Sequence, residues 1–174
     1  PRSLVPREGD HVRVGAVRAL AVPAVAGPPA FIGLTLVLGA GWPGYDPIRD
    51  TQSALGAVDA PAGEVMNVAG FMGIGVAILT FSVLYPATLR GSWVTWLATA
   101  LLVVAGIGMV VVAFFPCDAG CVDVTATGRL HAVFSTPGAI GLPTAAMLSS
   151  WVFHHDGRLG GRWQAASMAL GVVS

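Results

Sequence analysis

The sequence predicts an all-α integral membrane protein: a helix bundle with at least four full transmembrane helices, the start of a fifth, and a cytoplasmic N-terminus. Three observations lead there. The chain is 55% hydrophobic and only 10% charged, where an ordinary soluble domain carries roughly 25% charged residues. So little charge cannot clothe a water-facing surface, and lipid must be the solvent for most of the molecule. The apolar residues also come in runs of the length a span needs, about 20 residues at 1.5 Å each. Finally, seven of the nine arginines fall in alternate polar segments and two in the others, which predicts a topology.

The same composition removes several functions. Nine arginines balance nine acids, so nothing argues for nucleic acid. No lysine is present, which excludes Schiff-base chemistry, a retinal-type pigment included. The first apolar run starts near Leu20, is interrupted by Pro23, Pro28 and Pro29, and continues to Ala40. It is too long for the core of a secretory signal and lacks a small-residue cleavage site. The chain opens on Pro1 without an initiator methionine and its last apolar segment stops at Ser174, so a piece of a longer protein is expected. Leu4-Val5-Pro6-Arg7 reads equally as a protease-site remnant or as natural sequence.

Residues 1–18, with Arg2, Arg7, Arg13 and Arg18, are expected to form a basic cytoplasmic arm. The transmembrane domain follows over 19–174. Its first span is 19–41, kinked at Pro28-Pro29. A polar loop comes next, in which Asp46-Pro47 signals a turn or helix cap. From Pro47 to Ala57 a short interfacial helix is expected. On it Asp46, Arg49 and Asp50 share one face, and Ile48 and Leu55 turn toward the bundle. The second span is 64–85, ended by Pro86, with Ala69, Gly73 and Ala77 forming a small-residue stripe for close helix packing. The third is 93–115, with Trp93 and Trp96 at the interface and Pro116 at its end. A second loop carries Cys117-Asp118-Ala119-Gly120-Cys121-Val122-Asp123. The fourth span is 129–153, with kink sites at Pro137 and Pro143, and 163–174 begins a fifth, incomplete one.

Arginine placement orients this bundle. With the N-terminus inside, Arg2, Arg7, Arg13, Arg18, Arg90, Arg158 and Arg162 fall on the cytoplasmic side and only Arg49 and Arg129 outside. Both acid-bearing loops then face outward on the same side of a cell membrane.

Short motifs add a resemblance. Tyr45, then Ser53-Ala54-Leu55-Gly56, then Asn67 and Gly70 are followed by Phe115-Pro116-Cys117-Asp118 and Gly128-Arg129-Leu130-His131. In that order they resemble the two halves of the domain of unknown function 998 family, over about residues 30–155. The resemblance implies a prokaryotic multi-pass membrane protein, usually of about six helices, from which this chain departs by stopping inside the fifth. It implies no activity.

The candidate site lies on the outward face. Asp46, Arg49, Asp50, Asp118, Asp123 and His131 are the ionisable groups there, with Tyr45, Gln52, Ser53 and Asn67 as polar neighbours. If the helix ends converge, carboxylates and an imidazole can hold a metal or share acid–base work. The structural alternative is that Asp46 and Asp50 pair with Arg49 or Arg129, that Asp118 caps a turn, that His131 bonds Asp118 or a carbonyl, and that Asn67 bonds a neighbouring helix or the first loop. No His-x-x-x-His or Cys-x-x-Cys pair supports a metal site, and no cofactor is expected. His154 and His155 lie roughly 35 Å from His131 along the same helix, too far for paired axial ligands. Cys117 and Cys121 fit a small-loop disulfide in an oxidising compartment, two free thiols, or a redox pair, the last disfavoured by their spacing.

Two classes of function stand. One is an accessory, binding or scaffold protein with an outer-face polar pocket. Its partners would be the lipid bilayer and a membrane protein or a second copy of the chain. The alternative is an enzyme or carrier acting on a lipid-linked substrate at the outer leaflet through Asp and His. A transporter is weaker, since no acid or arginine sits at mid-membrane depth.

Overall fold

The computed structural model describes residues 8–89, 91–157 and 159–173. Arg2, Arg7, Arg90 and Arg158, four of the seven arginines behind the orientation, lie outside the described residues. Among the described residues the chain is helical, without strands. Helix α1 spans Glu8–Ala40, α2 Gly63–Thr88, α3 Trp93–Val112, α4 Ala126–His155 and α5 Arg162–Val173. Two short 3-10 turns, Gln52–Gly56 and Ala119–Cys121, sit in the loops at one end of the bundle.

Three segments are long and apolar enough to cross a membrane: Val17–Ala40, Gly63–Thr88 and Trp93–Val112. Helix α4 has the length, at 30 residues, but Thr127, Ser135, Thr136, Thr144, Ser149 and Ser150 dilute its apolarity. Four of their hydroxyls, those of Ser135, Thr136, Thr144 and Ser149, bond carbonyls of the same helix. Thr136 donates to the Ala132 carbonyl at 2.7 Å and Thr144 to Ile140 at 2.7 Å, as Thr35 does to Phe31 in α1. Folding a hydroxyl back onto its own helix satisfies it where no water is at hand. Large apolar side chains stand outward along these helices, among them Val25, Leu36, Trp93, Val133 and Ile140. A bundle that turns such residues to its surface is built for lipid, and this is a helical membrane protein.

The long helices pack in chain order, each against the next. Lipid supplies no hydrophobic drive between helices, so contact depends on small residues that let backbones approach. A Cβ on Gly75 would stand 2.8 Å from the Val110 nitrogen and 2.9 Å from the Gly106 carbonyl oxygen. One on Gly108 would stand 2.5 Å from the Phe134 carbonyl. Of the expected stripe, Ala77 is buried and meets Gly27, but Ala69 and Gly73 are exposed. The physical reason is local: Met66–Met72 is π-helical, with i→i+5 bonding that turns the helix by a different angle per residue. A stripe counted at α spacing through that segment loses its face.

Other expectations are corrected at the element ends. Helix α1 is described from Glu8, so residues 8–18 continue the same helix as the first span, while residues 1–7 of the expected arm lie outside the described residues. Pro86 lies inside α2, which runs on to Thr88, and α3 stops at Val112, before Phe115. Ser92 caps α3 by accepting from the Thr95 N–H at 3.1 Å. No α-helix forms over Pro47–Ala57; only the 3-10 segment Gln52–Gly56 is helical there. Asp46 Oδ1 accepts from the Ile48 N–H at 2.9 Å and Asp50 Oδ2 from the Asp46 N–H at 2.8 Å, and side chains that capture nearby backbone donors favour turns over helix. Ile48 is consequently 93% exposed, away from the bundle, whereas Leu55 is 2% exposed.

Leu55 anchors the loop end. It packs with Met66, Phe71 and Val112 in one apolar cluster, and burying a leucine contributes roughly 2 kcal/mol. A second cluster of Ile78, Tyr85, Ala98, Leu102 and Ala145 fills the other half. There Tyr85 and Ser149 are hydrogen-bonded at 2.7 Å, joining α2 to α4. Ser149 spends its own proton on the Ala145 carbonyl, so the tyrosine hydroxyl is the donor.

Candidate functional site

The two acid-bearing loops meet at one end of the bundle. The Val58 N–H donates to the Cys117 carbonyl at 3.0 Å, and the Cys117 sulfur lies 3.2 Å from the Ser53 carbonyl oxygen. The Cα atoms of Cys117 and Cys121 are 5.0 Å apart, a spacing a disulfide can bridge. Gly120 and Cys121 both have positive φ, 68° and 52°, which closes this tight turn and suits glycine at the first position.

The acids do not gather into one centre. Asp46 and Arg49 form an ion pair at 3.6 Å with side chains 45% and 86% exposed; a pair so wet contributes well under ~1 kcal/mol. Asp50 bonds the Asp46 backbone and shares a surface hollow with Tyr45 and Asp59. Burial, and secondly the negative charge of Asp50, hold the Tyr45 phenol above its ordinary pKa. Asp123 is exposed. Arg129 is exposed and donates to the Val124 carbonyl. Among the described residues no three His, Cys, Asp or Glu side chains come together as a metal would need.

Asp118 is fully engaged as a structural cap. Its Oδ2 accepts from the backbone N–H groups of Thr125 at 2.7 Å and Val124 at 2.9 Å, and its Oδ1 from the Thr125 hydroxyl at 2.7 Å. The same hydroxyl oxygen accepts from the Gly128 N–H at 3.1 Å and so caps α4. Gly128 must be glycine, because a Cβ there would run into the Asp118 carboxylate. The Thr125 backbone N–H above all, then its hydroxyl, hold the Asp118 carboxyl below the usual range. Here the capping reading of Asp118 is the one the geometry supports.

Asn67 is also tied down. It is 8% exposed and its Nδ2 donates to the Gly56 carbonyl at 3.0 Å, fastening the first loop to the π-helical stretch of α2. Its Oδ1 is buried with no hydrogen-bonding partner among the described residues.

His131 is different. It is 4% exposed, sits on the second turn of α4, and its Nδ1 is 2.7 Å from the Phe115 carbonyl oxygen. Its Nε2 is buried and has no partner among the described residues. The ring lines a cleft of about 460 Å³, within the range of ligand sites. Phe71, Ile74 and Ile78 of α2 form one wall, Ser135, Ala139 and Leu142 of α4 the other, and Met109 and Val112 of α3 the floor. Phe31 of α1 flanks it. Gln52 and Ser53 reach it from the first loop. Of the sequence candidates, then, His131, Ser53 and Gln52 share the cleft. Tyr45 and Asp50 line a separate hollow and Asn67 a third. Ser135 and the apolar walls were not among the candidates, since nothing in their residue types sets them apart from ordinary span residues. Asp156, 1% exposed at the far end of α4, was likewise not singled out.

An all-helical bundle with lipid-facing helices defines a helical membrane protein, and the cleft at His131 is one of several hollows among the described residues. A family model described as Protein of unknown function (DUF998) matches residues 25–174, and the chain belongs to that family. The match extends at both ends beyond the motif-bearing stretch. No curated protein and no solved structure matches the chain.

Proposed function

We propose that the chain is a multi-pass protein of the cell membrane, N-terminus inside, whose basic arm precedes a transmembrane domain of five or more spans. We read it as a binding or accessory protein that holds a lipid or other amphipathic molecule in the cleft beneath its outer loops. The Cys117–Cys121 disulfide is part of this reading, formed in the outward compartment and bracing the loop over the cleft. The observation that carries it is the make-up of the cleft, whose apolar walls lead to a polar end formed by His131, Ser135, Ser53 and Gln52. Binding is favoured over hydrolysis because no carboxylate is among the described residues lining it, and catalytic groups must lie within hydrogen-bond reach of the reacting atoms.

The test is mass spectrometry of lipids and metals that co-purify with the full chain, comparing wild type with Ala139→Trp. Ala139 lies on the cleft wall and is exposed, so an indole there fills the cleft while leaving the core packing alone. A lipid species depleted in the variant supports the reading; identical profiles overturn it. Orientation is tested by Ile48→Cys, which a membrane-impermeant maleimide should label on intact cells.

A further inference from the structure

Accepting that cleft as a binding site, we infer that its ligand presents a hydrogen-bond donor, a hydroxyl, to His131 Nε2. The argument starts from the other ring nitrogen. Nδ1 is 2.7 Å from the Phe115 carbonyl oxygen, and a carbonyl only accepts, so Nδ1 carries a proton. The ring is thereby locked in one orientation, and Nε2 is left as a lone pair. That atom is buried without a partner among the described residues, on a ring that lines the cleft beside Ser135, Ser53 and Gln52. A charged ring would need a counter-charge, and no carboxylate is among the lining residues described. A buried acceptor left unpaired is costly, so the molecule that fits is one whose apolar body lies along Phe71, Ile74 and Leu142 while its hydroxyl donates to Nε2. Gln52 and Ser53 line the same end and carry side-chain groups able to donate back to the hydroxyl oxygen. The chemistry is that of a long-chain or isoprenoid alcohol, and it excludes ligands whose head can only accept.

The test uses the full chain in lipid nanodiscs and three probes of one chain length: 1-hexadecanol, its methyl ether and palmitate. Wild type should bind the alcohol about tenfold more tightly than the ether, the fold-change for one hydrogen bond to a buried group. The His131 Nε2 nitrogen resonance should move on adding the alcohol and stay put with the ether. His131→Asn places an amide nitrogen where Nδ1 was, which keeps the donor to Phe115, and its one acceptor, the amide oxygen, sits close to the backbone and short of the Nε2 position. In that variant alcohol and ether should bind within about twofold of each other, with the helix content of wild type. Equal binding of alcohol and ether by wild type overturns the hydroxyl inference while leaving the cleft as a site. Preference for palmitate overturns it in favour of a charged ring. Failure of every probe to bind overturns the cleft reading itself.

Discussion

Replacing Gly56 by alanine puts a methyl group into the joint between the first loop and the membrane helices. Gly56 has no positive φ, so its backbone is open to any residue; what demands glycine is proximity. The new Cβ would stand 2.5 Å from Asn67 Oδ1, 3.3 Å from Asn67 Cγ and 2.8 Å from Phe71 Cε2. Overpacking of this kind costs about 1–3 kcal/mol. Asn67→Ala, taken alone, strips the donor from the Gly56 carbonyl, a loss of about 1–3 kcal/mol for a buried group left unpaired. It also deletes the Asn67 Oδ1, which already lacks a partner, so the net cost falls at the lower end, about 1 kcal/mol. In the double variant the Asn67 obstacle is gone and only the Phe71 edge remains. The two costs should therefore fall short of their sum by about 1 kcal/mol, as expected for residues in contact. Unfolding by sodium dodecyl sulfate in mixed micelles, followed by circular dichroism, measures all four proteins. If Gly56→Ala is neutral, or the costs are additive, the loop is not pinned to the π-helical segment as described.

Three further outcomes follow from the loops. The Asp118 carboxyl titrates below its ordinary value, so the cap's contribution is complete above the unfolded carboxylate pKa of about 3.9 and is lost as pH falls through the lower folded value; thermal unfolding of Asp118→Asn should be less stable at neutral pH and flatter over the acid range than wild type. The Tyr45 phenol, raised by burial and by Asp50, should titrate lower in Asp50→Asn, read from phenolate absorbance in a Tyr85→Phe background. With the disulfide formed, non-reduced protein should resist maleimide. Cys121→Ser should then lower stability by about 2 kcal/mol, the loop-closure value for so short a loop, whereas immediate alkylation of wild type would show two free thiols.

The membrane address, the approximate place of the long helices and the meeting of the two loops at one end were all legible in residue order. They follow from apolar run length and polar punctuation, which act locally. Which face of a helix meets which neighbour was not legible in the same way. The π-helical turn at Met66–Met72 shifts the faces, so the spacing of Ala69, Gly73 and Ala77 pointed partly to lipid, while Gly75, Gly106 and Gly108 make the backbone contacts. The acids misled for a related reason. Asp46 and Asp50 lie close enough in sequence to bond each other's backbone, and Asp118 finds its donors six and seven residues on. Local satisfaction won over convergence. Asn67 and His131 were singled out because polar groups within spans need partners. The structure gives Asn67 the first-loop bond expected of it and His131 the carbonyl bond. The cleft itself is a product of four helices and one loop, and no pair of neighbouring residues announces it.

Packing in chain order has a consequence for how the protein is made. Each long helix docks on the one inserted just before it, so most interfaces close over short stretches of chain and form quickly. Some joints skip a neighbour, among them Tyr85 to Ser149 between α2 and α4, and Val58 to Cys117 between the loops. Both wait for later segments to emerge. The α1–α2–α3 half of the bundle can be assembled and membrane-embedded while His131 is still unsynthesised. The cleft comes into being only when α4 arrives, and α5 then docks on α4 in turn, so a chain interrupted before α4 would hold three packed helices and no cleft.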